Sequence, residues 1–149
     1  MTREHKASYS AGGVILNSKG EICVVSQHGK HWSLPKGHLE KDEDALMAAK
    51  RETAEESGLT ELKLLDKLGT YTRYRISKLG SDDKGVLKHI TMFLFTTPQM
   101  NLAPTDPENP IARWVAIDDV ANLLTHPKDK DFFNEHKNKI AEVAKNLLK

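Results

Sequence analysis

Three carboxylates, Glu52, Glu55 and Glu56, stand at i, i+3 and i+4 in the run Arg51-Glu52-Thr53-Ala54-Glu55-Glu56-Ser57-Gly58-Leu59. On a helix they share one face, about a turn apart. Like charges so placed weaken an isolated helix by roughly a few tenths of a kcal/mol per pair. A hard divalent cation, which prefers carboxylate oxygens, offsets that repulsion. An ordinary solvated face has the same spacing, but the context argues for the metal. Gly58 supplies a left-handed helix end, and a Gly- and Pro-containing loop fixes the first turn. On a helical wheel Ala45, Ala48 and Ala49 fall near the direction of Glu52. Methyl groups beside the acids leave room for a metal and a bulky ligand, where a solvated face would carry Lys, Gln or Glu.

Residues 37–59, GHLEKDEDALMAAKRETAEESGL, resemble the box of the Nudix hydrolases. Gly37, Glu43, Arg51, Glu52, Glu55, Glu56, Gly58 and Leu59 match it in identity and spacing. Thr53 departs from the aliphatic residue of the pattern, and its Val-like shape predicts a packing change without loss of chemistry. The resemblance implies an α/β protein, a Nudix-type α/β/α sandwich on a mixed β-sheet. It also implies hydrolysis of a pyrophosphate link in a nucleoside diphosphate attached to another moiety. By position, Glu52, Glu55 and Glu56, with the backbone carbonyl of Lys36, would hold Mg²⁺, or Mn²⁺ as substitute. Arg51 would orient the glutamates through charge-assisted hydrogen bonds. Glu43 would be structural, near the helix start where a carboxylate suits the dipole. Glu108, on a long loop six residues before Trp114, resembles the metal-binding or water-activating glutamate of the family's diadenosine tetraphosphate hydrolases. Asp106 is its substitute, and a plain solvated carboxylate is the other reading.

Substrate choice must come from outside the box. His31-Trp32-Ser33-Leu34-Pro35-Lys36-Gly37-His38 resembles the WxxPKGH segment of that same subgroup. Lys36 would meet a phosphate as a point charge, and His31 and His38 would donate to phosphate oxygens or stand by. Tyr71 and Tyr74 lie where the subgroup carries a tyrosine; each either stacks on a purine or packs on the sheet. Lys84 and Lys88 would meet further phosphates. The expected activity is therefore hydrolysis of dinucleoside polyphosphates, diadenosine tetraphosphate giving ATP and AMP. A nucleoside triphosphate pyrophosphohydrolase and a non-catalytic nucleotide-binding sensor are the alternatives. The absence of a proline over residues 60–97 disfavours the ADP-ribose subgroup, and Pro35-Lys36-Gly37 disfavours the diphosphoinositol subgroup.

With 149 residues, 38% hydrophobic and 29% charged, the chain has the size and composition of one globular domain over residues 1–149, its first seven residues a flexible tail. A net charge of +1 gives no electrostatic case for duplex nucleic acid, an RNA track or an anionic membrane. No apolar run predicts a membrane span or a secretory leader, so the expected compartment is the cytoplasm and the expected partner a small nucleotide. Cys23, in Ile22-Cys23-Val24-Val25, reads as a packed side chain. Hydrophobic periodicity predicts strands over 11–17, 21–27, 62–76, 86–97 and 112–117, with 28–38 as a loop. It predicts helices over 43–57, from an Asp118 or Asp119 cap to 124, and over 129–148. The last should pack through Phe133, His136, Ile140, Val143, Ala144 and Leu147.

Overall fold

A computed structural model describes residues 6–27, 29–76, 82–106 and 110–147. Its strands are β1 (Lys6–Leu16), β2 (Glu21–Gln27), β3 (His31–Ser33), β4 (Lys36–His38), β5 (Lys63–Ile76), β6 (Asp82–Thr96) and β7 (Ile111–Ala116). Its helices are α1 (Ala45–Ser57), α2 (Ile117–Leu123) and α3 (Pro127–Leu147). The seven-stranded sheet has the order β3-β2-β1-β6-β5, with β4 also on β1 and β7 also on β2. β1 runs parallel to β6 and every other pairing is antiparallel, so the sheet is mixed.

Side chains alternate across the sheet, as the two-residue strand period requires. Ala11 and Ile15 of β1, with Phe93 and Phe95 of β6, pack with Ala48 and Ala49 of α1. Val14 and Leu16, with Ile90, Met92 and Leu94, pack with Val120 of α2 and with Phe133 and Ile140 of α3. Helices therefore cover both faces, giving the expected α/β/α sandwich. No described helix is long and apolar enough to cross a membrane.

The segment expected as a loop, 28–38, carries the short strands β3 and β4. Three-residue strands are too short for a period-2 signal, and their pairing is set by neighbours. Ala48 and Ala49 are fully buried against the sheet, so they bring α1 close to β1 and do not open space for a ligand. Asp118 and Asp119 lie inside the first turn of α2, whose Ala116 N-cap makes no side-chain bond. On α3 the expected Leu147 is 42% exposed, whereas Phe132 and Asp129 are buried. Cys23 is buried, and its thiol is pushed up to about 12 by that burial.

Candidate active site

Helix α1 is placed by its two ends. Asp44 caps the start by accepting from the Met47 amide at 2.8 Å, and Gly58 ends it at φ 81°, donating to the Ala54 carbonyl. The carbonyls left open at the helix end are taken by the loop after β6. Ala103 donates to the Ser57 carbonyl at 2.9 Å, and Thr105 and Asp106 donate to that of Glu55 at 2.9 and 3.0 Å. This loop thus lies beside the glutamates, and the Asp106 charge acts on both Glu52 and Glu56. Glu108 lies outside the described residues.

Arg51 ties the acidic residues together. Its Nε and Nη2 grip Glu43 bidentately at 2.7 and 2.9 Å. Nη1 donates to Glu52 at 2.8 Å and to Glu55 at 3.2 Å, and Nη2 donates to the His38 carbonyl at 2.9 Å. Glu43 accepts from the Glu40 amide as well, and the hydrogen bonds from Arg51 hold its carboxyl down at about 2. Glu43 sits just outside α1 and acts through Arg51 more than through the helix dipole.

Glu52 and Glu56 turn inward. A Cβ on Gly37 would lie 2.1 Å from Cδ of Glu52, so the bare glycine is the space that carboxylate occupies. Glu56 is 8% exposed. Burial pushes its carboxyl up to about 8, opposed by the Lys36 charge and by a hydrogen bond from the Lys36 backbone amide. Burial also raises Glu52. Glu55 is drawn toward Arg51, its side chain 43% exposed. Among the described residues, no three metal-ligating side chains gather closely enough to hold an ion. The donor chemistry nevertheless suits a hard divalent cation: the buried Glu56 and the partly buried Glu52 on one helix face, in need of a positive charge to stay ionised.

Glu56 also opens onto a cavity of about 290 Å³ on the α3 side of the sheet, lined among others by His31, Trp32, Lys36, Arg73, Lys88 and Asp129. Asp129, 2% exposed, holds its cations in place. It lies 3.5 Å from Lys36 Nζ and 3.1 Å from Arg73 Nε. The Tyr71 hydroxyl donates to it at 2.5 Å. Burial lowers Lys36, with Arg73 adding repulsion, and lowers Lys88 to about 8, with Arg73 and Lys36 adding to the effect. The Asp129 carboxyl is held low by Lys36 and Arg73 against its own burial. Trp32 is tied in through its amide to Thr125 Oγ1 at 2.8 Å, with the Arg113 guanidinium 5.4 Å from its ring centre.

Of the residues expected at the substrate, His31, Lys36 and Lys88 line this cavity, and Tyr71 and Tyr74 do not. Tyr71 instead stacks on Phe132, ring centres 4.5 Å apart, with its hydroxyl on Asp129. His38 lines a smaller neighbouring pocket. Lys84 falls within β6, and its side chain lies outside what the structure describes. Sequence reasoning missed Arg73 and Asp129. Both are charged residues on otherwise apolar or amphipathic segments, and only the fold shows that they meet.

The NUDIX domain model matches residues 6–136. The chain is 25% identical to an RNA pyrophosphohydrolase of Pelagibacter ubique, over 89% of this chain and 90% of that one. It is 31% identical to a putative mutator protein MutT4 of Mycobacterium tuberculosis, over 93% of this chain and 55% of that one. Among solved structures it resembles a C. elegans Ap4A hydrolase binary complex (TM-score 0.71, 22% identity, 91% of this chain and 98% of that one), a likeness of fold. With the box glutamates on one capped helix and the family match running through the sheet and into α3, the chain belongs to the Nudix family of hydrolases, which cleave pyrophosphate bonds in nucleotide-linked substrates.

Proposed function

We propose that this chain hydrolyses dinucleoside polyphosphates, with diadenosine tetraphosphate giving ATP and AMP, and that it uses Mg²⁺ or Mn²⁺. The observation that carries the reading is one cavity shared by a buried box glutamate, Glu56, and three cationic side chains, Lys36, Arg73 and Lys88. Such a cavity accepts several phosphates in a row, beyond the one being attacked. When bound, a divalent cation supplies charge neutralisation on phosphate and acidifies a bound water. Glu52 and Glu56, with Glu55 after release from Arg51, would hold it.

The remaining work belongs to the chain's own groups. Arg51 fixes the glutamates through Glu43. Lys36 and Arg73, pinned by Asp129, orient the phosphate chain without reorganising during the reaction. Trp32 is the aromatic group of the cavity and offers a face to a base, in place of Tyr71. Glu108 stays the proposed base, with Asp106 the described carboxylate on the same loop.

A substrate panel with product identification tests this. Equal ATP and AMP from diadenosine tetraphosphate supports the reading, and two molecules of ADP refute the asymmetric cut. A second reading, removal of pyrophosphate from an RNA 5′ end, is favoured by the name of the Pelagibacter relative and by the clustered cations, which a net charge of +1 conceals. Cleavage of 5′-triphosphate RNA with dinucleotides inert would select it. Pyrophosphate released only from mononucleoside triphosphates would select the house-cleaning alternative.

A further inference from the structure

The loop that leaves β6 sets Asp106 against charges of its own sign. The Thr105 and Asp106 amides both donate to the Glu55 carbonyl, and the Asp106 charge acts on Glu52 and Glu56. Carboxylates so placed repel one another. A loop free to move would swing Asp106 out to water, and long loops without anchors are ordinarily mobile. This one is anchored at successive points.

The Thr97 amide donates to the Leu16 carbonyl at 2.9 Å, which fixes the direction in which the chain leaves the sheet. Gln99 Oε1 accepts the Thr60 and Glu61 amides, both at 2.7 Å, and so ties the loop to the segment that follows α1. From β7 the Trp114 indole Nε1 donates to the Met100 carbonyl at 2.8 Å. Ala103 is pressed on the end of α1. Its amide donates to the Ser57 carbonyl at 2.9 Å, and a Cβ on Gly58 would stand 2.4 Å from its carbonyl oxygen. Gln99 and Trp114 thus spend their polar atoms on backbone groups, and neither lines the catalytic cavity.

We infer that Gln99 and Trp114 are positioning residues for the metal-binding face of α1: they brace the loop after β6 so that the Asp106 carboxylate adds its charge to those of Glu52 and Glu56. This role rests on the metal use proposed above. Without a cation the brace works against repulsion; with one it delivers a further negative charge to the ion. Groups that act from outside a ligand set commonly change metal affinity by about 10–100-fold.

Mn²⁺ binding to the full-length protein, followed by electron paramagnetic resonance of the free ion, reads the role without turnover. Asp106→Asn and Trp114→Phe should each weaken Mn²⁺ binding about tenfold. Trp114→Phe keeps an aromatic ring on the core and removes the indole N–H. In the double variant the two losses should not add, because Trp114 acts through Asp106. Gln99→Met should behave like Trp114→Phe, whereas Gln99→Glu keeps an acceptor for both amides and should bind Mn²⁺ as wild type does. In the metal-free protein the Ala103, Thr105 and Asp106 amides should exchange hydrogen faster in Trp114→Phe and Gln99→Met than in wild type. Wild-type Mn²⁺ affinity in Asp106→Asn, full additivity in the double variant, or unchanged exchange in both brace variants overturns the role. A wild-type protein that binds no Mn²⁺ overturns it together with the proposed metal use. If wild type binds Mn²⁺ but cleaves no dinucleoside polyphosphate, the substrate reading alone fails and the Mn²⁺ titrations still decide the brace.

Discussion

Replacing Glu56 with Gln should remove one pH-sensitive component from the stability of the metal-free protein. Burial moves the Glu56 carboxyl from its ordinary 4.5 up to about 8. The native state then keeps a proton that the unfolded chain gives up. Below pH 4.5 both states hold it, and the stabilisation of the neutral form is complete. Between about pH 4.5 and 8 the unfolded chain ionises first, so stability falls with rising pH by at most about 1.4 kcal/mol per pH unit. Across that window the loss is on the order of 3–5 kcal/mol. The substituted amide carries no proton to lose, so the variant should lack this component. The assay is urea unfolding of chelated wild type and Glu56→Gln from pH 4.5 to 8.5. Wild type should lose stability relative to the variant as pH rises, and saturating Mg²⁺ should restore it in wild type alone. Parallel profiles for the two proteins would refute the assignment of Glu56 as a buried, cation-requiring carboxylate. In the same variant kcat should fall by roughly 10³-fold, about 4 kcal/mol of barrier.

Arg51→Lys keeps the charge but not the fork that reaches Glu43, Glu52, Glu55 and the His38 carbonyl together; steady-state kinetics should show kcat/KM down by about 10² or more, since Lys cannot replace a bidentate Arg. Gly37→Ala would set a methyl group 2.1 Å from Cδ of Glu52; it should abolish turnover in a protein whose circular dichroism is native, and normal activity would mean that Glu52 has another place to go. Tyr71→Phe removes the hydrogen bond to buried Asp129 and should lower stability in urea by about 1–3 kcal/mol. Trp32→Ala should instead act mainly on KM, by roughly 1–3 kcal/mol of stacking, whereas an equal KM effect from Tyr74→Ala would return the base platform to β5.

The helix and its chemistry were legible in the sequence because both are local. Glu52, Glu55 and Glu56 read as one face, Gly58 as a left-handed end, and Arg51 as the residue within reach of the acids, all within three helical turns. The cavity was legible only in part: the resemblance pointed to His31, Lys36 and Lys88, and nothing pointed to Arg73 or Asp129. Lys36, Arg73, Lys88 and Asp129 come from β4, β5, β6 and α3, and nothing in the spacing between Lys36 and Asp129 shows that they lie 3.5 Å apart. Short-range patterning also misassigned the alanines: a small side chain permits a ligand or a close helix, and only the sheet beneath Ala48 and Ala49 decides between them. Tyr71 illustrates the same ambiguity, since an aromatic on a strand is equally suited to a base and to Phe132.

The parallel pairing of β1 with β6 joins Lys6 to Val86 and Leu16 to Thr96, a constant separation of 80 residues (86 − 6). That pairing cannot form on the ribosome until β6 has emerged, so β1 waits with its inner edge open while the whole Nudix box is made. Closing so long a loop is entropically costly and slow, and an unpaired edge is where misassociation begins. Refolding should therefore be limited by the docking of β1, and mutations at Gly12 and Gly13 should slow it. A Cβ on Gly12 would strike the Pro35 carbonyl at 2.1 Å, and one on Gly13 would strike Phe95 at 2.9 Å. The earliest-made strand of this enzyme thus meets its central partner only after the box helix has been made.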